Sequence, residues 1–545
     1  MTRHLSRRSL LAGTAATAVG AATVGLVGCG PTGSTPDEQS GPAGNVAMPT
    51  YTDPVTAEPD LVSAHQGMSA FFQYPTDPTA SVPEPPLNGE TVSALTYTYD
   101  PLAPGMDQNP MWQAINEAMG GTLDISWVQS GEYASKLATT IAGGDLPDFV
   151  SVVGDGPAWP AQFPALLRAQ FTDLSEFLAG DAINDYPNLA GIPTRSWQRN
   201  VIDGRLWGVP IPRVPIGAPG LLREDIVTAE GLSMAPQSKD ELFALLKGLT
   251  SPDNKRFGSA DPGAIASFLA ASLGVASGWT EQAGAFVHEM EDERYAQALA
   301  DVAELWQAGV FHPESIAATN NMRNDWFTYG TVPLVFGGFA GWSKYEAWGE
   351  PVDGFTMAPL QMFAYDGSAE PVHRGGSVQA STTLIKKSDP ERVRFLLRTL
   401  NWLAAPFGSS EHLLKAYGVE GETYTLDGSD PILTESGATL RLVPFAYVGD
   451  APQMIYDPGK QRVSQARFDY QEAALAMVPP DPTLGLYSET STAKSSQLLR
   501  QLNDVRASVL TGRDPVSAWQ SAVEKWRSDG GDAIRGEYEE AFAKQ

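Results

Sequence analysis

The sequence predicts an α/β protein built as two doubly wound units, and three observations predict it. Residues 91–153 alternate strand, helix, strand, helix and strand, the order of a parallel βαβ sheet. The alternation restarts after Pro210. A chain of 545 residues is also longer than one hydrophobic core usually organises, so a second packing unit is expected.

In the first unit Thr91–Tyr99 reads as a strand, with Val92, Leu95, Tyr97 and Tyr99 supplying its apolar content. Pro110 opens a helix that runs through Met119 and is closed by Gly120-Gly121. Leu123–Val128 alternates apolar and polar residues as a second strand, and Glu132–Ala142 forms the next helix, stopped by Gly143-Gly144. Phe149–Val153 is apolar without alternation, the pattern of a strand buried on both faces. Asp155 and Trp159 follow in a Gly/Pro loop, which reads either as a plain connection or as a ligand loop beyond a strand's carboxyl end.

Further on, Phe171–Leu178 is expected to be a short helix, and Asp203–Pro210 a turn leading into a strand. Ser238 and Glu241 have capping-box spacing ahead of a helix over Leu242–Leu249. Glu291–Gly309 is amphipathic, with Tyr295, Leu299, Val302 and Leu305 on one face. Val332–Phe336 is an apolar strand running into a glycine- and aromatic-rich loop, Gly337 to Trp348. Asp389-Pro390 and Asp514-Pro515 each start a helix.

The N-terminus carries an address. Arg7-Arg8 precede Leu10–Gly28, a mildly apolar run that suits an export signal better than a membrane span. It ends at Leu26-Val27-Gly28-Cys29, which resembles a bacterial lipobox and implies lipidation of Cys29, the only cysteine. No internal disulfide is therefore possible. Gly30 to Asn88 is rich in Pro, Gly, Ser and Thr and reads as an extended tether. Within it Met68–Tyr74 is apolar enough to pack onto the body, although a loose spacer is the expected state.

With 64 acids against 36 lysines and arginines, the net charge of −28 repels phosphate backbones, so nucleic acid is excluded as a partner. No G-x-S-x-G, H-E-x-x-H or P-loop pattern occurs, and the six histidines are scattered. No catalytic residue and no cofactor is expected.

Several blocks in order resemble the extracellular solute-binding lipoproteins of bacterial ABC sugar importers. They include the Cys29 lipobox, KLATTIAGGDLPDFV at Lys136–Val150, DGRLWGVP at Asp203–Pro210 and LLREDIVTAEGL at Leu221–Leu232. WFTYGTVPLVFGG at Trp326–Gly338, IKKSDPERVRFLLRTLNWL at Ile385–Leu403, YGVEGETYTLDG at Tyr417–Gly428 and AVEKWRSDGGD at Ala522–Asp532 complete the likeness. It implies the two-lobed periplasmic-binding-protein fold of type II, with several hinge crossovers. It also implies a monomer, held at the outer face of the cell membrane only through Cys29, that delivers an oligosaccharide to an ABC permease. The boundaries expected by analogy are an export signal at 1–28, a linker at 29–88 and a first lobe at 89–203. The second lobe is expected at 204–373, a return to the first at 374–430, and a C-terminal helical part of the second at 431–545.

Sugars present flat C–H faces ringed by hydroxyls, so a sugar site needs aromatic platforms and short planar hydrogen-bonding groups. Candidates are Asp100, Asp155 and Trp159 in loops after first-lobe strands, and Phe339, Trp342 and Tyr345 in the second-lobe loop, where the family usually carries stacking aromatics. Trp207, Trp279 and Arg374 are weaker choices, whereas Trp127, Trp306 and Trp402 sit on patterned faces and are expected in the core. Long relatives often carry a calcium loop where this chain reads Ser251–Gly258; one acid and two cations there predict no metal. The candidate loops also lack an Arg/Lys cluster for anionic sugars. The rival reading is a lipid-anchored glycoside-active enzyme using Asp100, Asp107 or Asp155 as paired carboxylates.

Overall fold

Strand pairing gives two main sheets, of five and three strands, besides two-stranded pairs. The computed structural model describes residues 46–54, 57–154, 159–160 and 162–544. The export signal, Cys29 and Asp155 lie outside the described residues.

The first sheet takes β1 (Thr91–Thr98), β2 (Thr122–Gln129), β3 (Phe149–Val153) and, much later, β4 (Gly208–Pro212) and β8 (Gln379–Ile385); between them come β5 (Gly220–Arg223), β6 (Leu334–Phe336) and β7 (Met357–Leu360) of the second. The first sheet has the order β2-β1-β3-β8-β4, with β1 parallel to β2 and β3, and β8 antiparallel to both neighbours. In the second, β5 lies between β6 and β7, antiparallel to each.

Local chemistry explains the elements. Asn109 caps the helix Pro110–Met119 by accepting from the Trp112 amide, and Gly120 ends it at φ 70°. Asp389 caps Pro390–Leu403 through the Glu391 and Arg392 amides. That helix buries Val393, Leu396, Leu397 and Leu400 against Ile115, Phe149 and Trp197 in the first-lobe core. The second-lobe core gathers Leu246, Ile265, Leu269, Leu299 and Val302 with Leu498, Trp519 and Trp526 from the C-terminal helices. Of the helix expected over Phe171–Leu178 only Ser175–Leu178 forms, and a separate helix, Phe163–Gln170, ends just before it. Between them Phe171 and Thr172 bond to 385–386 at the end of β8, which straightens the backbone.

The lobe boundaries differ from the expected ones. Asp203-Gly204, both at positive φ, turn a small hairpin within the first lobe, and β4 then pairs with β8. The chain crosses only after Pro212, through 213–219. It returns through 373–378, alongside the outgoing segment, with Gly217 N donating to Arg374 O (2.8 Å) and Gly376 N to Pro215 O (3.1 Å). A Cβ on Gly376 would lie 2.4 Å from the Ile216 carbonyl, so the two crossovers can lie this close only with glycine there. Residues 431–450 also belong to the first lobe, because Val443, Phe445 and Val448 are in its core. The helices that complete the second lobe start at Gln461.

The tether expectation is overturned for its described part. Thr50 N donates to Gly180 O and Thr52 N to Ala190 O, both on the first lobe. The chain then crosses to the second-lobe helix Gln461–Leu475, where Gln471 accepts from Met68 N (2.9 Å) and donates to Met68 O (2.8 Å). Ala70–Phe71 pairs in parallel with Ile455–Tyr456, and Tyr74 returns the segment to the first lobe against Phe407 and His412. Met68, Ala70 and Phe71 supply enough apolar surface to fix the crossing. Gln471→Ala would strand two buried backbone groups of the segment, an expected loss of about 1–3 kcal/mol. A fall in urea midpoint with unchanged slope, and faster amide exchange over 61–71, would show it; unchanged exchange would refute the account.

Candidate functional site

In the first lobe the carboxyl ends of β1, β2 and β3 point the same way and carry Tyr99, Asp100, Gln129 and Gly154. Gln129 Nε2 donates to the Asp100 carbonyl (2.9 Å), which ties the first two loops together. The Asp100 carboxylate in turn accepts from Lys344 Nζ (2.8 Å) of the second-lobe helix Trp342–Gly349, so this ion pair bridges the lobes.

A cavity of about 240 Å³ is lined by residues of both lobes. Trp159 and Arg199 enter it from the first lobe, and Ser277, Trp279, His288 and Tyr487 are among its second-lobe lining. The volume lies just below the roughly 300 Å³ at which small-ligand pockets begin. Trp159 is 6% exposed and packs on Phe163 (4.8 Å between ring centroids). Its indole N–H has no hydrogen-bond partner among the described residues. Trp279 stands on the hairpin Trp279–Gln282/Ala285–His288 and is only partly buried. It meets His288 edge-on at 4.9 Å and is braced by Tyr538 at 5.7 Å.

Polar groups around the cavity are tied down. Arg199 donates to Asp481 Oδ2 (2.6 Å) and the Thr483 carbonyl (3.5 Å). Glu289, behind the wall, accepts from both Nη atoms of Arg374 (2.7 and 3.0 Å) and from Gly278 N (3.1 Å). Burial alone would raise the Glu289 pKa, but Arg374, His288 and the Gly278 amide outweigh it and hold the carboxyl below its ordinary value. Burial pushes His288 down to about 4 against the opposite pull of Glu289 and Glu291, so its ring is neutral at pH 7.

Of the residues the sequence pointed to, the structure brings Trp159 and Trp279 into one cavity. Asp100 stands at a separate bridge between the lobes. Trp207 is a core residue instead: it is 4% exposed and its indole donates to the Ile202 carbonyl. Phe339, Trp342 and Tyr345 are also buried, at 6, 1 and 7% exposure. Trp342 and Tyr345 lie three apart on a helix where a loop was expected, which turns both rings inward against Phe327 and Tyr470. Arg374 is held by Glu289 behind the cavity wall. Asp155 lies outside the described residues. Among those sequence reasoning missed are Arg199, Asp481 and Tyr487; no local motif marks them, since they reach the cavity from segments far apart in the chain.

Among the described residues no group of three or more His, Cys, Asp or Glu side chains is placed to hold a metal ion. The Ser251–Gly258 segment is a tight turn in which Ser251 and Arg256 exchange backbone hydrogen bonds and Arg256 pairs with Glu230.

Two α/β lobes, a chain that passes between them five times and a cavity walled by both define a ligand-capturing protein rather than a rigid scaffold. The chain belongs to the bacterial extracellular solute-binding protein family, whose model matches residues 111–386. It is similar to the polygalacturonan/rhamnogalacturonan-binding protein YtcQ of Bacillus subtilis, with 23% identity over 80% of this chain and 89% of that one. Lipoprotein LipO of the same organism is 21% identical over 82% of this chain and 91% of its own length. Among solved structures, an HMO-binding, ABC-transporter-associated solute-binding protein from Bifidobacterium longum infantis superposes with a TM-score of 0.62. It has 15% identity to this chain and covers 84% of this chain and 99% of its own. These likenesses account for the two-lobed architecture.

Proposed function

We propose that the chain is the substrate-capture component of an ABC importer: it closes two lobes around an extracellular oligosaccharide and hands it to a membrane permease. The observation that carries this reading is the interlobe cavity with an indole on each side, Trp159 from the first lobe and Trp279 from the second. Two indoles in one cavity lining suit the flat C–H faces of a sugar, and the serines and backbone around them suit its hydroxyls. The relatives point to a saccharide ligand, one named for binding polygalacturonan/rhamnogalacturonan and one solved structure for binding HMO. The lipobox at Cys29, together with a relative named as a lipoprotein, supports anchoring at the outer membrane face after export. We read the site as binding without turnover, since among the described residues the cavity's charged lining is Arg199 and Asp481 joined to each other rather than two opposed carboxylates.

A thermal-shift screen against oligosaccharides tests it. A true ligand at 100 times its Kd is expected to add about 2.7 kcal/mol to the stability of the folded state. Trp159→Ala and Trp279→Ala are each expected to weaken that ligand about 10–100-fold, the range for loss of a buried aromatic contact. Release of shorter sugars during the assay would instead establish an enzyme. Stabilisation by peptides alone would replace the ligand class.

A further inference from the structure

We infer that the cavity lined by Trp159 and Trp279 selects neutral sugars and rejects uronates, because among the described residues the cations in and behind its lining are matched by carboxylates and its wall is backed by further acids. The inference rests on the proposed oligosaccharide-binding role and adds the chemical class of the sugar.

A uronate binder needs an unmatched cation, since a carboxylate moved from water into a closed site is costly unless a charge meets it. Arg199, the one cation in the described lining, is joined to Asp481 at 2.6 Å. Arg374, behind the Gly278 turn, is forked onto Glu289. Arg535 donates through Nη2 to both carboxylate oxygens of Glu291 (2.5 and 2.6 Å). At the other bridge Lys344 faces Asp100. Arg213 lies on the crossover, outside this lining, and donates to the Pro212 carbonyl.

The acids outnumber these cations. Glu489 accepts from the hydroxyl of Tyr487, and Glu537 from Ser488 Oγ, Thr490 N and Thr490 Oγ1. Tyr487 and Ser488 line the cavity. Among the described residues neither Glu489 nor Glu537 has a cation within salt-bridge distance. The Tyr487 hydroxyl therefore points its hydrogen at a carboxylate and leaves oxygen lone pairs for a ligand's O–H groups, while Ser488 Oγ donates to Glu537 and accepts from Ser491 N. A neutral sugar supplies many such donors, while a uronate adds an acceptor that meets the same negative field.

The test is calorimetric titration of the full chain with matched pairs differing only at C6. The probes are galacturonate, glucuronate and mannuronate tetramers, each beside its carboxyl-reduced, neutral counterpart. At least one neutral tetramer is expected to bind, with its uronate partner about 100-fold weaker. Asp481→Asn removes one lining carboxylate and is expected to narrow that ratio about tenfold, with thermal unfolding confirming that the variant is folded. A uronate binding as tightly as its neutral partner, or a ratio unmoved in a folded Asp481→Asn chain, would overturn the inference. Failure of all six sugars would instead overturn the oligosaccharide reading on which it rests.

Discussion

Trp342→Ala is expected to lower the unfolding free energy by about 3–5 kcal/mol, the cost of emptying a large buried site. The ring is 1% exposed and packs against Phe339 and Tyr470, and Tyr470 also bonds to His373 beside the hinge. The side chain is thus part of the second-lobe core, next to the segment on which the lobes pivot. Trp342→Phe keeps most of the apolar volume and removes an indole N–H that has no partner among the described residues, so it should cost no more than about 1.5 kcal/mol. Urea unfolding of both variants, with sugar binding measured beside it, separates core from contact. A stability change within about 0.5 kcal/mol, paired with a large loss of affinity, would return Trp342 to the ligand site.

That ring shows where local pattern stops being informative. The glycines at 337, 338 and 341 signal a loop, yet from Trp342 the backbone is helical, and the spacing of Trp342 and Tyr345 matters more than the glycines before them. Elements defined by their own residues were readable: Phe149–Val153, with no polar alternation, is a central strand, and Asn109 and Asp389 cap helices opened by proline. Connections between lobes were not. The hairpin at Asp203-Gly204 has the stronger turn chemistry, but the crossing falls in the less distinctive 213–219 segment. The cavity was readable only in part, because Trp159 and Asp481 are joined through tertiary packing that no short window contains. The segment before Asn88 misled for a related reason. Its composition is that of a linker, and a few apolar residues, Met68 to Tyr74, decide where it lies by finding partners nearly 400 positions away.

Acidification from pH 6.5 to 4.5 is expected to destabilise the fold through two half-buried histidines. Burial first, and then the nearby Lys415, push His412 down to about 3 against the opposing pull of Asp450. Burial does the same to His288, to about 4. His412 Nδ1 also shares a hydrogen bond with Tyr74 Oη (3.0 Å), so its neutral ring is built into the junction with the N-terminal segment. In the unfolded chain both rings titrate near 6.5. Below that pH the unfolded state binds protons that the folded state refuses. Stability therefore rises with pH up to about 6.5 and declines below it, by up to about 1.4 kcal/mol per pH unit for each histidine. The decline continues until each folded value is reached. Over two units the pair removes roughly 4–5 kcal/mol. Asp261, Asp301 and Glu346, whose pKa values are raised first of all by burial, act with the opposite sign as they take up protons in the folded state. The measurement is accordingly a difference: urea midpoints at pH 7, 6 and 5 for the parent, His412→Gln and His288→Gln. Each variant should flatten the acid limb by about its own share. Parallel curves for parent and variants would mean that neither ring is held neutral in the folded protein.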